Sequence, residues 1–225
     1  GNDYLFGHAG NDIITGGLGA DYLSGGGQND ELRGDSGIDE IFGGSGDDEL
    51  RGGSGNDGLS GDDGRDLIVG DSGNDTIVGG FEIDRLYGGS GNDTIFGSEG
   101  ADTLIGGPGI DRIDGGAGAD RLYADGTADT FVFRHAAGTG DRIFSFVSGV
   151  HDIEIDASVF GGTAGVFTYR ANTNPAAPSA TQALLYDIDD GKLYFDPDGT
   201  GAGARIHLFT LYAAPALAAS DILLV

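Results

Sequence analysis

The chain has no cysteine, which excludes disulfides, thiolate metal centres and a cysteine nucleophile. Basic residues are scarce as well. Eleven lysines and arginines stand against 37 acidic residues, a formal net charge of −26. No basic patch or stripe is visible, which argues against a nucleic-acid partner. No apolar run approaches the length of a membrane span, and no signal peptide is visible at the N-terminus. Methionine is absent and the chain starts in mid-pattern at Gly1-Asn2-Asp3, so a piece of a longer protein is expected. Apolar residues make up only 38% of the 225 positions, whereas 46 are glycine. That composition by itself admits disorder, an acidic linker, or a folded domain whose charge is matched by cations.

The order of the residues separates these readings. Asp3, Asp12, Asp21, Asp30, Asp39, Asp48, Asp57, Asp66, Asp75, Asp84, Asp93, Asp102, Asp111, Asp120 and Asp129 recur every nine residues without a gap. Two residues after each stands a large apolar residue, from Leu5 and Ile14 through to Leu122 and Phe131. Glycine opens every unit from Gly7 to Gly115. Disorder has no reason to hold three columns in phase. Glycines permit the positive φ of a tight turn, and a tail such as Thr94-Ile95-Phe96 predicts a three-residue strand whose middle side chain points to one face. Two units form a flattened coil of eighteen residues. Stacked coils make two parallel sheets with the Leu/Ile column between them, and only the stack buries that column.

Stacking also brings aspartates of units two apart to about 4.8 Å, one strand spacing. Two carboxylates about 5 Å apart repel by roughly 3 kcal/mol at an effective dielectric of 20. Burial of one Leu or Ile contributes about 1.5–3 kcal/mol. Repulsion therefore consumes most of what the core supplies unless cations sit between the turns. Carboxylates and turn carbonyls form an all-oxygen donor set, which suits Ca²⁺ better than Mg²⁺, with its strict octahedron. Zn²⁺ and Cu²⁺ favour nitrogen or sulfur, and the repeats offer only His8. Eight turns on one edge and seven on the other leave thirteen gaps, hence at most about 13 ions, whose charge would offset −26.

The unit Gly-Gly-x-Gly-x-Asp-x-apolar-x resembles the repeat-in-toxin (RTX) nonapeptide. GGSGDDELR (43–51), GGSGNDGLS (52–60) and GGPGIDRID (106–114) match it outright. The resemblance implies a parallel β-roll with Ca²⁺ between turns, held by the repeat aspartates and by backbone carbonyls. The candidate carbonyls are those of Gly16, Gly34, Gly43, Gly52, Gly61, Gly70, Gly79, Gly88, Gly97 and Gly106. Gln28 and Glu82 replace the fourth-position glycine, so altered turns are expected beside Asp30 and Asp84. Ala124 replaces the opening glycine of the last unit, which is expected to end the roll.

After residue 132 the period stops, and position 138 is glycine where aspartate is due. The fold expected is all-β: a roll over 1–132 and a small antiparallel β cap over 133–225. Asp189-Asp190-Gly191 reads as a hairpin turn, and TNPAAPS (173–179) as a loop. The stretches ADTFVF, GDRIFSFVSGVHDIEID and LYFDPDGTGAGA resemble the C-terminal region of serralysin-type secreted proteins. That likeness implies an extracellular protein exported by type I secretion machinery, with SDILLV at the terminus as the signal; a last strand or short helix is the plainer reading. Asp196-Pro197-Asp198-Gly199 is an acidic turn or one more Ca²⁺ loop.

Catalytic motifs are missing: there is no Gly-x-Ser-x-Gly elbow and no His-Glu-x-x-His. His8, His135, His151 and His207 share no ligand spacing and are expected in local structural roles. Tyr4, Tyr22, Phe42, Tyr87, Phe96 and Tyr123 fall on outward strand positions, where cross-strand packing is the default and sugar or domain contact the alternative. Three functions remain. The favoured one is a Ca²⁺-dependent folding switch and scaffold that supports secretion and an upstream domain. The others are the C-terminal part of a secreted protease, lipase or polysaccharide-modifying enzyme, and an adhesin or surface-layer module.

Overall fold

The computed structural model describes residues 1–134, 140–156, 168–172, 183–187, 190–196, 206–213 and 217–225. His135, the 173–179 loop and residues 197–199 of the acidic turn lie outside them. The described chain is all-β apart from one 3-10 turn at Ala219–Asp221. Successive nonapeptides alternate between two sheets. Tyr4–Ala9, Tyr22–Gly27, Glu40–Ser45, Gly58–Asp63, Thr76–Phe81 and Thr94–Gly100 stack in the first sheet; Ile13–Leu18, Glu31–Ser36, Glu49–Ser54, Leu67–Ser72 and Arg85–Ser90 stack in the second. Pairing is parallel and eighteen residues apart, as in Leu23 with Ile41 and Leu32 with Leu50.

The strands in this part are six or seven residues long, not three. Pairing skips the first glycine of each unit and resumes at the second, as Gly26 does opposite Gly44. The three-residue form occurs only at the far end, in Thr103–Ile105, Arg112–Asp114 and Arg121–Tyr123. Every glycine-opened turn but the one at Gly97 adopts positive φ twice, at the second and fourth positions, as at Gly53 (105°) and Gly55 (142°). This double demand explains why glycine is so abundant. Gln28 and Glu82 meet it with φ of 73° and 70°, whereas Gly19 and Gly109 in the same column stand at 125° and 157°. The turns beside Asp30 and Asp84 are thus altered in backbone geometry.

Alternation within each strand turns the apolar column inward. Leu23, Leu32, Ile41, Leu50, Ile68, Ile77, Leu86, Ile95, Leu104, Ile113 and Leu122 are all fully buried. Leu5 and Ile14, at the first coil, are only partly covered. The core then runs on without a break into Phe131, Phe133, Ile143, Phe146, Ile153, Phe195 and Phe209.

The loss of period at residue 132 does not interrupt the sheets. Asp141–Phe144 pairs parallel with Arg121–Tyr123, and Asp152–Ile155 with Thr130–Phe133, at offsets of 21 and 22 residues. Ile206–Leu211 and Ile222–Leu224 add parallel strands on top of these. Among the described residues the expected antiparallel pairing is found in Ala183–Asp187 with Lys192–Asp196, across the turn at Asp190-Gly191, and in Lys192–Asp196 with Ile206–Leu211. The final strand is locked by Asp221, which is buried and accepts hydrogen bonds from Ser148 Oγ (2.5 Å), the Gly149 amide (3.1 Å) and the Ala218 amide (2.8 Å). Ser220–Val225 is therefore a turn and a strand in the fold, in accord with the plainer reading of that segment.

Candidate metal sites

Each repeat aspartate sits at the bend where the chain enters a strand, and the stack ties it down on both sides. The amide of each donates to Oδ1 of the aspartate eighteen residues on, from Asp3 onto Asp21 (2.7 Å) to Asp111 onto Asp129 (3.1 Å). Its carbonyl accepts from the residue nineteen further on, as Asp57 does from Thr76 (2.8 Å). From Asp21 to Asp129 the repeat aspartates are at most 4% exposed. The two predicted ladders exist, and Asp30 and Asp84 keep their rungs despite the altered turns, each accepting at 2.8 Å.

The second carboxylate oxygen is the unusual one. Oδ2 of every repeat aspartate from Asp12 to Asp120 is buried without a hydrogen-bond partner among the described residues. A buried carboxylate with one oxygen unsatisfied is costly. The cost is legible in the proton affinities. Burial, reinforced at several rungs by the neighbouring carboxylates, pushes Asp48, Asp75, Asp84, Asp111 and Asp120 up to about 7 and Asp66 and Asp102 up to about 6. The backbone bond to Oδ1 opposes the shift and is too weak to cancel it. Asp39, Asp57, Asp93 and Asp129 are raised from the same leading cause.

What faces Oδ2 is a glycine and a carbonyl. A Cβ placed on Gly43 would lie 2.5 Å from Asp48 Oδ2 and 2.8 Å from the Gly61 carbonyl. On Gly52 it would meet Asp57 Oδ2 at 2.5 Å and the Gly70 carbonyl at 2.8 Å; on Gly79, Asp84 Oδ2 at 2.5 Å and the Gly97 carbonyl at 2.7 Å. The first glycine thus keeps clear a space that a side chain would fill, and two oxygens from successive coils border it. The carbonyls of Gly43, Gly52, Gly61, Gly70, Gly79, Gly88, Gly97 and Gly106 stand in this position, and so do those of Gly25 and Gly115, which the sequence reading left out. Hard oxygen donors, an anionic charge without partner and a glycine-lined gap fit Ca²⁺.

The repeat pattern that builds this geometry is also what comparison with known proteins finds. The family profile described as RTX calcium-binding nonapeptide repeat (4 copies) matches residues 1–32, 24–59, 33–68, 69–104 and 96–131. The chain belongs to the RTX calcium-binding nonapeptide repeat family. Among solved structures, this RTX chain is similar to the AlgE6R3 subunit of the Azotobacter vinelandii mannuronan C5-epimerase, with 26% identity, a TM-score of 0.41, and coverage of 64% of this chain and 78% of that one. The AlgE6R2 subunit of the same epimerase gives 29% identity, a TM-score of 0.41, and coverage of 65% and 91%. No curated protein matches the chain.

Three features of the RTX ladders escaped the sequence reading. Asp141 takes the next rung of the second ladder, buried and accepting from the Asp120 amide (2.9 Å), and its carboxyl is pushed up to about 8, first by burial. His151 ends the first ladder: its Nδ1 accepts from the Asp129 amide (3.2 Å), and the ring is fully buried beside Phe131 and Phe146. The third is an outer ladder of asparagines, in which Asn56 accepts from the Asn74 amide (2.8 Å) and Asn74 from that of Asn92 (2.8 Å). The recurrent Asn-Asp pair was its signal. Among the remaining histidines, His8 is exposed and stacked on Phe6, and His207 Nε2 lies 3.1 Å from Thr210 Oγ1. Tyr4, Tyr22 and Phe42 form a cross-strand ladder, and Tyr123 stacks on Phe144. No helix among the described residues is long and apolar enough to cross a membrane.

Proposed function

We propose that this RTX chain is a folding module switched by Ca²⁺, with Asp12 to Asp120 and the facing glycine carbonyls as ligands. The observation that carries the reading is the run of buried Oδ2 atoms without partners, one per coil on each edge. Asp141 adds an eighth rung to the second ladder, so each edge has seven gaps between carboxylates. Thirteen of the fourteen gaps hold a buried, unpartnered Oδ2, and the remaining one begins at the exposed Asp3. About thirteen ions would satisfy them.

In the absence of metal, repulsion along the ladders opposes every coil, and the chain stays unfolded where Ca²⁺ is scarce. Outside the cell, Ca²⁺ binds the folded form alone and draws the chain into it by mass action. A chain that folds only after export suits a narrow type I exporter, and a rigid roll suits a scaffold for a domain elsewhere in the same polypeptide. Far-UV circular dichroism during a Ca²⁺ titration tests the switch: strand signal should rise cooperatively from a weak metal-free spectrum. Full strand signal in excess chelator would refute it. Export through a type I system, compared with and without residues 220–225, tests the secretion role separately.

A further inference from the structure

The chain is strongly acidic, yet the solvent face of the second sheet turns positive over its C-terminal half. Eight arginines have described side chains. Four are paired: Arg33 with Glu31, Arg51 with Glu49, and Arg112 and Arg134 with Glu154. The other four, Arg65, Arg85, Arg121 and Arg142, form no ion pair among the described residues, and all four lie on or beside this one face. Parallel register places Arg85, Thr103, Arg121, Arg142 and Thr210 in one column across five strands. The neighbouring column is Tyr87, Ile105, Tyr123 and Phe144, continued by Tyr212. Neither column contains a carboxylate. Tyr123, Phe144 and Tyr212 stack at 4.6 and 4.7 Å between ring centres.

The strip is bounded by two depressions. One, of about 250 Å³, lies between Arg65, Ile83 and Arg85. The other is a cleft of about 510 Å³ lined by Tyr123, Phe144, Ser145, Val147, Tyr212 and Ala213. Ser145 and Ala213, which rim the cleft, are held at φ of 61° and 72°. Such backbone strain in non-glycine residues clusters at ligand sites.

We propose that this face binds a linear acidic polysaccharide laid across the strands, its carboxylates on Arg85, Arg121 and Arg142 and its sugar rings along Tyr87, Tyr123 and Tyr212. Columns repeat every 4.8 Å or so across a sheet, and residues two apart on a strand are about 6.6 Å apart. A row of cations therefore runs alongside a row of aromatic and apolar side chains. A uronate chain has the matching form, with a carboxylate at the edge of each ring and an apolar C–H face beside it. Nucleic acid would meet only four cations on a chain of −26. The proposal needs the folded roll and does not depend on which atoms hold the metal.

The test uses the whole chain in excess Ca²⁺, with a short galacturonate oligomer as probe and titration calorimetry as readout. Binding is expected, and the double substitution Arg121→Ala/Arg142→Ala should weaken it by about tenfold or more, as should Tyr212→Ala. Arg33→Ala/Arg51→Ala, on the same sheet but ion-paired, should leave it unchanged. Circular dichroism in the same buffer confirms that each variant is folded, which separates failure of this proposal from failure of the Ca²⁺ switch. No binding by the folded wild-type chain, or equal binding by the Arg121/Arg142 variant, would overturn the proposal. So would equal affinity for neutral dextran or for polyglutamate, since either would remove the need for charge and ring together.

Discussion

The periodic stack and the aperiodic strands after it solve one problem in different ways. From Leu23 to Leu122 each nine-residue unit contributes one aliphatic residue to the core and one buried carboxylate with an unsatisfied oxygen. After Phe131 the same two sheets continue, but the core is built from Phe131, Phe133, Phe146, Phe195 and Phe209. The buried acids there are few and better served. Asp221 accepts four hydrogen bonds from the chain, and the partly buried Glu154 is gripped by Arg112 at 2.8 and 2.6 Å. The first region leaves oxygens that the proposed Ca²⁺ would satisfy; the second supplies partners from the chain. A short aliphatic unit suffices only where metal removes the repulsion.

The largest effect expected from this contrast is metal removal. As chelator is added stepwise to the folded chain, amide exchange should accelerate throughout the stack, at Ile77 for instance, before it does at Ile153 and Phe209. Equal protection in both regions would break the comparison.

Core truncation should also divide them. Phe131→Ala is expected to cost about 3–5 kcal/mol, measured by denaturant melts in Ca²⁺. Asp75→Asn should destabilise in Ca²⁺ and stabilise in chelator, because it removes a charge while retaining an acceptor for the Asp57 amide. A sign that does not invert would remove the electrostatic basis of the switch.

Glycine offers a finer test inside the stack. Gly55 sits at φ 142°, and a Cβ there would run into the Gly37 carbonyl of the preceding coil; Gly10 sits at 126° with open space around it. Gly55→Ala should therefore cost more than the roughly 1–2 kcal/mol of conformational strain alone, and Gly10→Ala no more than that. Thermal melts in Ca²⁺ separate the two.

The smallest effect is that of pH, and its sign depends on metal. Burial pushes Asp66 and Asp102 up to about 6 and Asp48, Asp75, Asp84, Asp111 and Asp120 up to about 7 in the fold, above the usual value of 3.8. Their contribution to metal-free stability is therefore complete below about pH 4 and is lost as pH rises through 6–7. In chelator, the strand signal in circular dichroism, weak at pH 8, should grow as the pH falls to 5. Ca²⁺ affinity should fall over the same interval, because protons compete for the ligands.

The nine-residue columns made most of the stack legible. Their spacing predicted the two sheets, the inward Leu/Ile column and the aspartate ladders, because a solenoid maps sequence offset directly onto spatial neighbours. Strand length was misread because glycine, a poor strand former, here pairs in register on both sides. Asp141 and His151 were hidden since they arrive 21 and 22 residues after their partners, outside any fixed offset. The positive face was invisible for a related reason: Arg85, Arg121 and Arg142 are far apart in the chain and sit in otherwise acidic surroundings.

The order of residues by itself determined the coil, its repeat and the stacking of its aspartates, since a local rule applied every nine residues leaves the stack no alternative register. Only the tertiary structure decided how that stack is closed and which surface it presents. Closure joins Asp221 to Ser148 and Arg112 to Glu154, contacts between distant segments that no local period encodes.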